Sequence, residues 1–89
     1  MLPIDSLESR YYIRVRVEDR PKVLASIASI FGDNDVSIES VVQHLIPTGE
    51  AEIVWVTHKV REKNVRAALD TITKLDAVRD VSNCIRVAE

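Results

Sequence analysis

The sequence predicts one α+β domain, in which two helices cover one face of a four-stranded antiparallel sheet. Two segments place aliphatic side chains at helical spacing, and four others either alternate apolar with polar residues or are rich in β-branched residues. The chain has 89 residues, of which 46% are hydrophobic and 29% are charged. This composition is typical of a folded domain, and the length allows only one compact core.

The first part of the chain predicts a strand followed by a helix. Residues 11–18 alternate apolar and polar side chains, as in a strand with one buried face. Asp19 and Pro21 suit a helix start, because Asp accepts hydrogen bonds from free backbone N–H groups and Pro fits the first turn. Aliphatic residues then recur at helical spacing as far as Phe31, and Gly32 is expected to end the helix in a left-handed conformation.

The middle of the chain predicts a hairpin. Residues 33–35, Asp-Asn-Asp, suit a turn because Asn and Asp tolerate positive φ. Residues 36–46 are rich in β-branched side chains and predict a second strand. Residues 47–50 form a short turn, and residues 51–58 predict a third strand that is apolar on both faces.

The last part of the chain predicts a helix and a strand. Residues 61–75 repeat aliphatic side chains at intervals of three and four. Residues 80–87 alternate, with Val81 and Asn83 on one face and Ser82 and Cys84 on the other. The order of elements is therefore strand, helix, strand, strand, helix, strand, which is the ferredoxin-like βαββαβ sandwich.

The third strand also predicts that another chain or segment covers part of the sheet. Val54 and Val56 alternate with Ile53 and Trp55, so the face that the helices do not cover is also apolar. Such a face or edge would be covered by another copy of the domain, by strand addition, or by the rest of a longer protein. The alternative is that Trp55 and its neighbours simply form the core.

Composition and motifs exclude several classes of protein. The formal net charge of -2 gives no general attraction to nucleic acid or anionic membranes, and no apolar run approaches the ~20 residues that span a bilayer. A single cysteine and the absence of a signal peptide predict a cytoplasmic location. His44 and His58 lack the neighbouring His or Cys that a metal site needs. No dinucleotide-binding glycine motif is present, so neither a cofactor nor catalysis is expected in this chain.

Two segments carry a resemblance to a known family. Residues 15–28 read Val-Arg-Val-Glu-Asp-Arg-Pro-Lys-Val-Leu-Ala-Ser-Ile-Ala, and residues 31–41 read Phe-Gly-Asp-Asn-Asp-Val-Ser-Ile-Glu-Ser-Val. They resemble ACT domains, in which a strand runs into an Asp-x-Pro-Gly-x-Leu turn and a helix then leads to a second strand. Residues 8–12 and 51–58 look most similar to the ACT domain of bacterial homoserine dehydrogenases. On this resemblance, residues 1–9 are a leader or linker and residues 10–89 are the ACT regulatory domain.

The resemblance implies that an amino acid binds between two paired domains. The N-terminus of the first helix suits a carboxylate, because its N–H groups are free and the helix dipole is positive there. The carboxylate of the first residue of the loop could then receive the ligand's ammonium group. In the alternative interpretation, that residue only caps the helix and the proline only begins it. The ligand-binding residues implied by the resemblance are Asp19, Arg20, Pro21, Lys22, Ser37 and Ile38.

Two residues depart from the family pattern. Lys22 stands where ACT domains usually have glycine, and Asp35 stands where glycine commonly precedes the second strand. Each lacks the backbone freedom of glycine. Lys22 either obstructs a ligand or supplies a cation for its carboxylate, and the sequence leaves both open. Asp35 accepts left-handed geometry at modest cost, so it affects only the shape of the turn.

The resemblance implies a regulatory function. The parent enzyme would be a homoserine dehydrogenase, which reduces aspartate semialdehyde to homoserine with NAD(P) bound in its catalytic domain. Threonine is the expected effector, and it would act by preferring one quaternary arrangement. The expected partners are the amino acid, a second copy in a homodimer, and the parent's catalytic domains. Two alternatives remain open, namely a dimerisation module without a functional ligand site and a free-standing regulator of another amino-acid pathway.

Overall fold

The computed structural model describes residues 8–87, and its elements follow the predicted order with one short addition. None of the helices within this range is long and apolar enough to cross a membrane. The elements are β1 (Glu8–Glu18), α1 (Val23–Asp33), β2 (Ile38–Leu45), β3 (Glu50–Thr57), β4 (Val60–Arg61), α2 (Glu62–Ile72) and β5 (Val78–Val87).

β1 lies at the centre of the sheet. It pairs antiparallel with β3, where Ile13 is opposite Trp55, and with β5, where Ile13 is opposite Cys84. β2 pairs antiparallel with β3, so β2 and β5 are the two edges of the sheet. The short β4 pairs with the first residues of β1. The strand order β2-β3-β1-β5, with a helix after β1 and another before β5, is the predicted ferredoxin-like plan.

The helices bury one face of the sheet. Side chains on this face of β1 and β3 pack against the apolar sides of α1 and α2. Phe31 of α1 and Trp55 of β3 have their ring centroids 5.2 Å apart, so Trp55 belongs to the core. The buried hydrophobic residues are Tyr11, Ile13, Val15, Val17, Val23, Ile27, Phe31, Val36, Ala51, Ile53, Trp55, Val60, Val65, Ala68, Ile72 and Ala77.

Thr57, the last residue of β3, is polar but fully buried. Its Oγ1 accepts a hydrogen bond of 3.0 Å from the backbone N–H of Tyr11. A buried N–H group without a partner costs free energy, and this side chain provides the partner. Thr57 therefore joins β1 to β3 just beyond the paired backbone of the two strands.

The end of α1 differs from the prediction. Gly32 lies inside the helix, which continues to Asp33. The left-handed residue is Asp35, with φ of 58°. The Asn34 side chain donates a hydrogen bond of 2.9 Å from Nδ2 to the carbonyl of Ile30, which also accepts from the backbone N–H of Asn34 at 3.2 Å. Asp thus takes the left-handed position as expected, but the prediction of a left-handed Gly32 is wrong.

The start of β1 and the region before α2 also differ from the prediction. β1 begins at Glu8, because Glu8 and Ser9 pair with Arg61 and Val60 of the unpredicted β4. The predicted leader therefore overlaps β1 at these two residues, while residues 1–7 lie outside the described part of the chain. α2 spans Glu62–Ile72, which is shorter than the predicted residues 61–75.

β5 departs from strict alternation. Asn83 lies opposite Arg14, but Val81 lies opposite Val15, so Ser82 is an extra residue in the strand. This bulge turns Val81 to the helix-covered face while Asn83 stays on the open face. The prediction that Val81 and Asn83 share a face is wrong for this reason.

The open face of the sheet is only partly apolar. Val54 and Val56 are half-buried on it, and Ile85 exposes 53% of its surface. Arg14 and Arg16 lie on the same face and pair with acidic residues of β3 and β5 at N–O distances of 3.2 to 3.6 Å. The face therefore combines an apolar region with an ion-paired region.

The two edges of the sheet are built differently. Val41, Val42 and Leu45 of β2 expose 41%, 49% and 71% of their surface, and the only Asp, Glu, Lys or Arg in this strand is Glu39 near its start. β5 carries three charged residues, and its pairing with β1 shifts register at two points. Charges and bulges protect an edge strand from pairing with another chain. β5 has this protection along its length. In β2 the single charge and the one register shift, between Ile38 and Ser40, lie at the start of the strand and leave residues 41–45 unprotected.

Candidate ligand-binding site

The junction between β1 and α1 is held between two loops at one end of the sheet. The backbone N–H of Glu18 donates to the carbonyl of Ala77, in the loop before β5, at 2.8 Å. The N–H of Asp19 points the other way and lies 3.4 Å from the carbonyl of Gly49, in the β2–β3 turn. These contacts fix the direction in which the chain enters α1.

The N-terminus of α1 has no side-chain cap. Lys22 is the N-cap residue, and its side chain makes no capping hydrogen bond. The first turn of α1 contains no acidic residue. The N-cap position belongs to Lys22 and not to Asp19, so the interpretation of Asp19 as the helix cap is wrong for the part of the chain that the structure describes. The positive end of the helix dipole is left without a nearby carboxylate in its own first turn.

Lys22 has a left-handed backbone, with φ of 70° and ψ of -2°. This conformation explains why a glycine suits the position, because only glycine adopts it without steric cost. The carbonyl of Lys22 accepts the first helical hydrogen bond, from the N–H of Ser26 at 2.9 Å. The loop thus keeps the geometry that glycine would give it, with a lysine side chain added.

A cavity of about 310 Å³ lies beside this junction. Two cationic residues, Arg20 and Lys22, and one acidic residue, Asp76, line it. Arg20 Nε lies 2.9 Å from a carboxylate oxygen of Glu18, and its Nη2 lies 3.5 Å from Asp76. The lining residues are Arg20, Pro21, Lys22, Val23, Ser26, Leu75, Asp76 and Ala77.

The structure brings together only part of the predicted site. Arg20, Pro21 and Lys22 line the cavity, whereas Asp19 is exposed and does not line it. Ser37 and Ile38 lie at the opposite end of the sheet, where the Ser37 carbonyl accepts from the N–H of His58. Seven strand residues separate the two ends, which corresponds to about 23 Å. Within one chain, residues 37 and 38 do not reach the β1–α1 junction.

The loop of residues 73–77 was missing from the predicted site. It contains no motif, so its sequence alone gives little indication of a binding role. The topology does give one, because α1 begins and α2 ends at the same end of the sheet. The loop after α2 must therefore lie beside the start of α1, where Leu75, Asp76 and Ala77 line the cavity.

A second cleft lies between α2 and the β5 edge. Tyr11, Glu62, Arg66, Cys84 and Arg86 line it. Burial, and then the nearby Glu62 carboxylate, raise the pKa of the Cys84 thiol, so the thiolate that a nucleophile requires is disfavoured. Arg66 pairs with Glu62 at 2.7 Å. These features do not make a catalytic site.

The histidines do not form a metal site. His44 and His58 are both exposed. Within residues 8–87, no group of three or more His, Cys, Asp or Glu side chains is placed to hold a metal ion. Within the described part of the chain, the β1–α1 junction combines cationic side chains, the uncapped N-terminus of α1 and a cavity.

The chain matches the family model described as "ACT domain" over residues 11–77. It is 46% identical over 85 residues to the homoserine dehydrogenase of Synechocystis sp., covering 96% of this chain and 20% of that protein. It is 39% identical over 88 residues to the homoserine dehydrogenase of Neisseria gonorrhoeae, covering 98% of this chain and 20% of that protein. The chain thus spans about a fifth of the length of these relatives.

Solved structures show the same similarity. The homoserine dehydrogenase of Thiobacillus denitrificans superposes with a TM-score of 0.87 at 39% identity, over 99% of this chain and 19% of that one. The ACT domain of the GTP pyrophosphokinase of Chlorobium tepidum superposes with a TM-score of 0.71 at 17% identity, over 88% of this chain and 99% of that one. The second likeness concerns the fold alone.

Proposed function

The chain belongs to the ACT domain family, and from this we propose that it is the amino-acid-binding regulatory domain of a homoserine dehydrogenase. The observation that carries the proposal is the β1–α1 junction, where an uncapped helix N-terminus and two cationic side chains border a cavity. Such a site favours a carboxylate. The similarity to homoserine dehydrogenases over most of this chain supports the choice of parent enzyme.

In this proposal, catalysis belongs to the rest of the parent protein. The parent would be an NAD(P)-dependent oxidoreductase, with the cofactor in its catalytic domain and none in the domain described here. The catalytic domains would be the partners to which this domain transmits the presence of its ligand. The parent would act in the cytoplasm, where the single cysteine stays reduced.

Threonine is the effector that we propose. Its carboxylate would lie at the N-terminus of α1, near Arg20 and Lys22. Its small side chain would lie against Pro21, Val23 and the loop before β5. The ligand would act by binding one quaternary arrangement more tightly than another, since only differential affinity shifts an equilibrium.

We further propose that two copies pair through their β2 edges. An antiparallel pair centred on Gln43 would place Val41 of each copy opposite Leu45 of the other. Both residues point to the helix-covered side of the sheet, because their β3 partners, Trp55 and Ala51, are buried there. The pairing would cover exposed apolar side chains and occupy the free backbone groups of an unprotected edge.

This pairing supports a ligand site shared between two domains. With Gln43 at the centre, Ser37 and Ile38 of the second copy would lie beside the β2–β3 turn of the first. The carbonyl of Gly49 in that turn lies close to the N–H of Asp19. The two halves of the predicted site, which are about 23 Å apart in one chain, would then approach each other across the pair.

A thermal-unfolding titration with the twenty amino acids tests ligand binding. A ligand at 100 times its Kd should stabilise the domain by about 2.7 kcal/mol. For a domain of this size, that is a rise in Tm of about 10 to 20 °C. The expected result is a selective, saturable rise with threonine that Lys22→Met reduces and the matched change Lys63→Met, on α2, does not. A larger rise with Lys22→Met would show that the lysine obstructs the ligand.

Sedimentation equilibrium tests the pairing and distinguishes the alternatives. Val41→Lys should weaken self-association, while Ile85→Lys, a matched change outside β2, should not. Self-association without any response to an amino acid would favour the dimerisation-only module. A selective response to an amino acid other than threonine would favour a regulator of another pathway.

A further inference from the structure

The cavity at the β1–α1 junction is lined by residues of both charges. Arg20, Lys22 and the positive end of α1 make part of the lining electropositive. Asp76, in the loop before β5, also lines the cavity, and its carboxylate lies 3.5 Å from Arg20 Nη2. A zwitterion matches this arrangement better than a simple anion does, because it presents a negative and a positive group at once.

The size of the cavity also favours a small molecule. Its volume of about 310 Å³ is at the low end of the range for drug-sized ligands. The remaining lining is mostly apolar, from Pro21, Val23, Leu75 and Ala77, with one hydroxyl from Ser26. These residues leave room for the short side chain of a ligand beside the charged groups.

Asp76 has no evident role in holding the fold together. Its side chain is 98% exposed, and its ion pair with Arg20 has an N–O distance of 3.5 Å. Arg20 has a closer partner in Glu18, at 2.9 Å. Exposed ion pairs of this kind contribute little to stability. The Asp76 carboxylate is therefore available to a ligand, and removing its charge should leave the domain folded.

Asp19 is placed differently. Its backbone N–H faces the β2–β3 turn, and the residue does not line the cavity. A ligand whose carboxylate lies near Lys22 would have Asp76, rather than Asp19, in the lining of the same cavity. The geometry thus distinguishes Asp76, which lines the cavity, from Asp19, which does not. The loop sequence alone could not make this distinction.

We propose that Asp76 is the residue that recognises the ammonium group of the ligand, so that the cavity binds α-amino acids in preference to carboxylic acids without an amino group. The proposal rests on the proposed amino-acid-binding function. In it, Asp76 determines specificity, while the α1 N-terminus, Arg20 and Lys22 provide the affinity for the carboxylate.

The test compares two ligands on three forms of the 89-residue protein. The ligands are L-threonine and 2,3-dihydroxybutanoate, in which a hydroxyl replaces the amino group. Calorimetric titrations are made with the wild type, with Asp76→Asn and with Asp19→Asn. The wild type should bind threonine roughly tenfold or more tightly than the hydroxy acid, because the latter lacks the charged partner of Asp76. Asp76→Asn should lose most of this preference by weakening threonine alone, and Asp19→Asn should keep it.

A second measurement locates the ligand. Backbone amide shifts on addition of threonine should be largest at Ser26, Asp76 and Ala77. Unchanged threonine binding by Asp76→Asn would overturn the role of Asp76, as would a loss of preference in Asp19→Asn. Tighter binding of both ligands by Asp76→Asn would overturn it too, since the carboxylate would then be repelling them. If the wild type binds none of the twenty amino acids, the proposed function fails as well, so the two failures are distinguishable.

Discussion

Replacing Lys22 with glycine should stabilise the domain. Lys22 has φ of 70°, and an L-residue in the left-handed region costs about 1 to 2 kcal/mol relative to an ordinary helical conformation. Glycine removes this steric cost but loses about 0.5 to 1 kcal/mol more conformational entropy on folding. The difference is a gain of about 0.5 to 1 kcal/mol in the free energy of unfolding, or a rise in Tm of about 2 to 8 °C.

Urea denaturation followed by the single tryptophan measures this change, since Trp55 is buried against Phe31. Lys22→Ala is the first control, because alanine removes the charge but keeps the steric cost, and its stability should stay within about 0.5 kcal/mol of the wild type. Lys63→Gly is the second control. It places glycine in α2 and should destabilise by up to about 1 kcal/mol. Equal effects of Lys22→Ala and Lys22→Gly would refute the role assigned to the backbone.

Three further changes test the core and the β1–β3 contact. Thr57→Val should destabilise by about 1 to 3 kcal/mol, because the Tyr11 N–H loses its partner, whereas Thr57→Ser keeps a hydroxyl; denaturation curves compare the two. Ile27→Ala should cost about 2 to 5 kcal/mol, seen as a lower denaturation midpoint by circular dichroism. Burial, and then Glu62, raise the pKa of Tyr11. The neutral phenol therefore contributes fully to the free energy of unfolding at neutral pH, and this contribution is lost as the pH rises above about 10. Tyr11→Phe should therefore show a flatter fall in stability with alkaline pH, and an equally steep fall would contradict this.

The sequence predicts the fold where a periodic pattern directly reflects burial. The alternation of residues 11–18 gives β1 because every second side chain lies in the core. The helical spacing before Phe31 gives α1 for the same reason. The prediction fails at α1's end, where Asn34 and Asp35 rather than Gly32 terminate the helix. Several residue types can make that local contact, so composition does not choose among them.

β5 and the binding site show a different limit. The bulge at Ser82 depends on how β5 aligns with β1, and a strand's own alternation contains no information about its partner's register. In the same way, the loop of residues 19–22 was identified from its own motif. Asp76 was not, because it reaches the cavity only through the packing of α2 beside α1. In the proposed pair, residues 37 and 38 would reach the site only from a second copy, which one chain does not contain.

The unequal edges of the sheet would limit the size of the proposed assembly. If the β2 strands pair about a two-fold axis, each copy uses the same edge, and both β2 edges are occupied at once. The strands left at the outer rims would then be β5 of each copy, where charges and register shifts hinder a third chain. Growth would stop at two, so an edge strand of the kind that can extend into open-ended filaments would instead give a closed complex of defined stoichiometry.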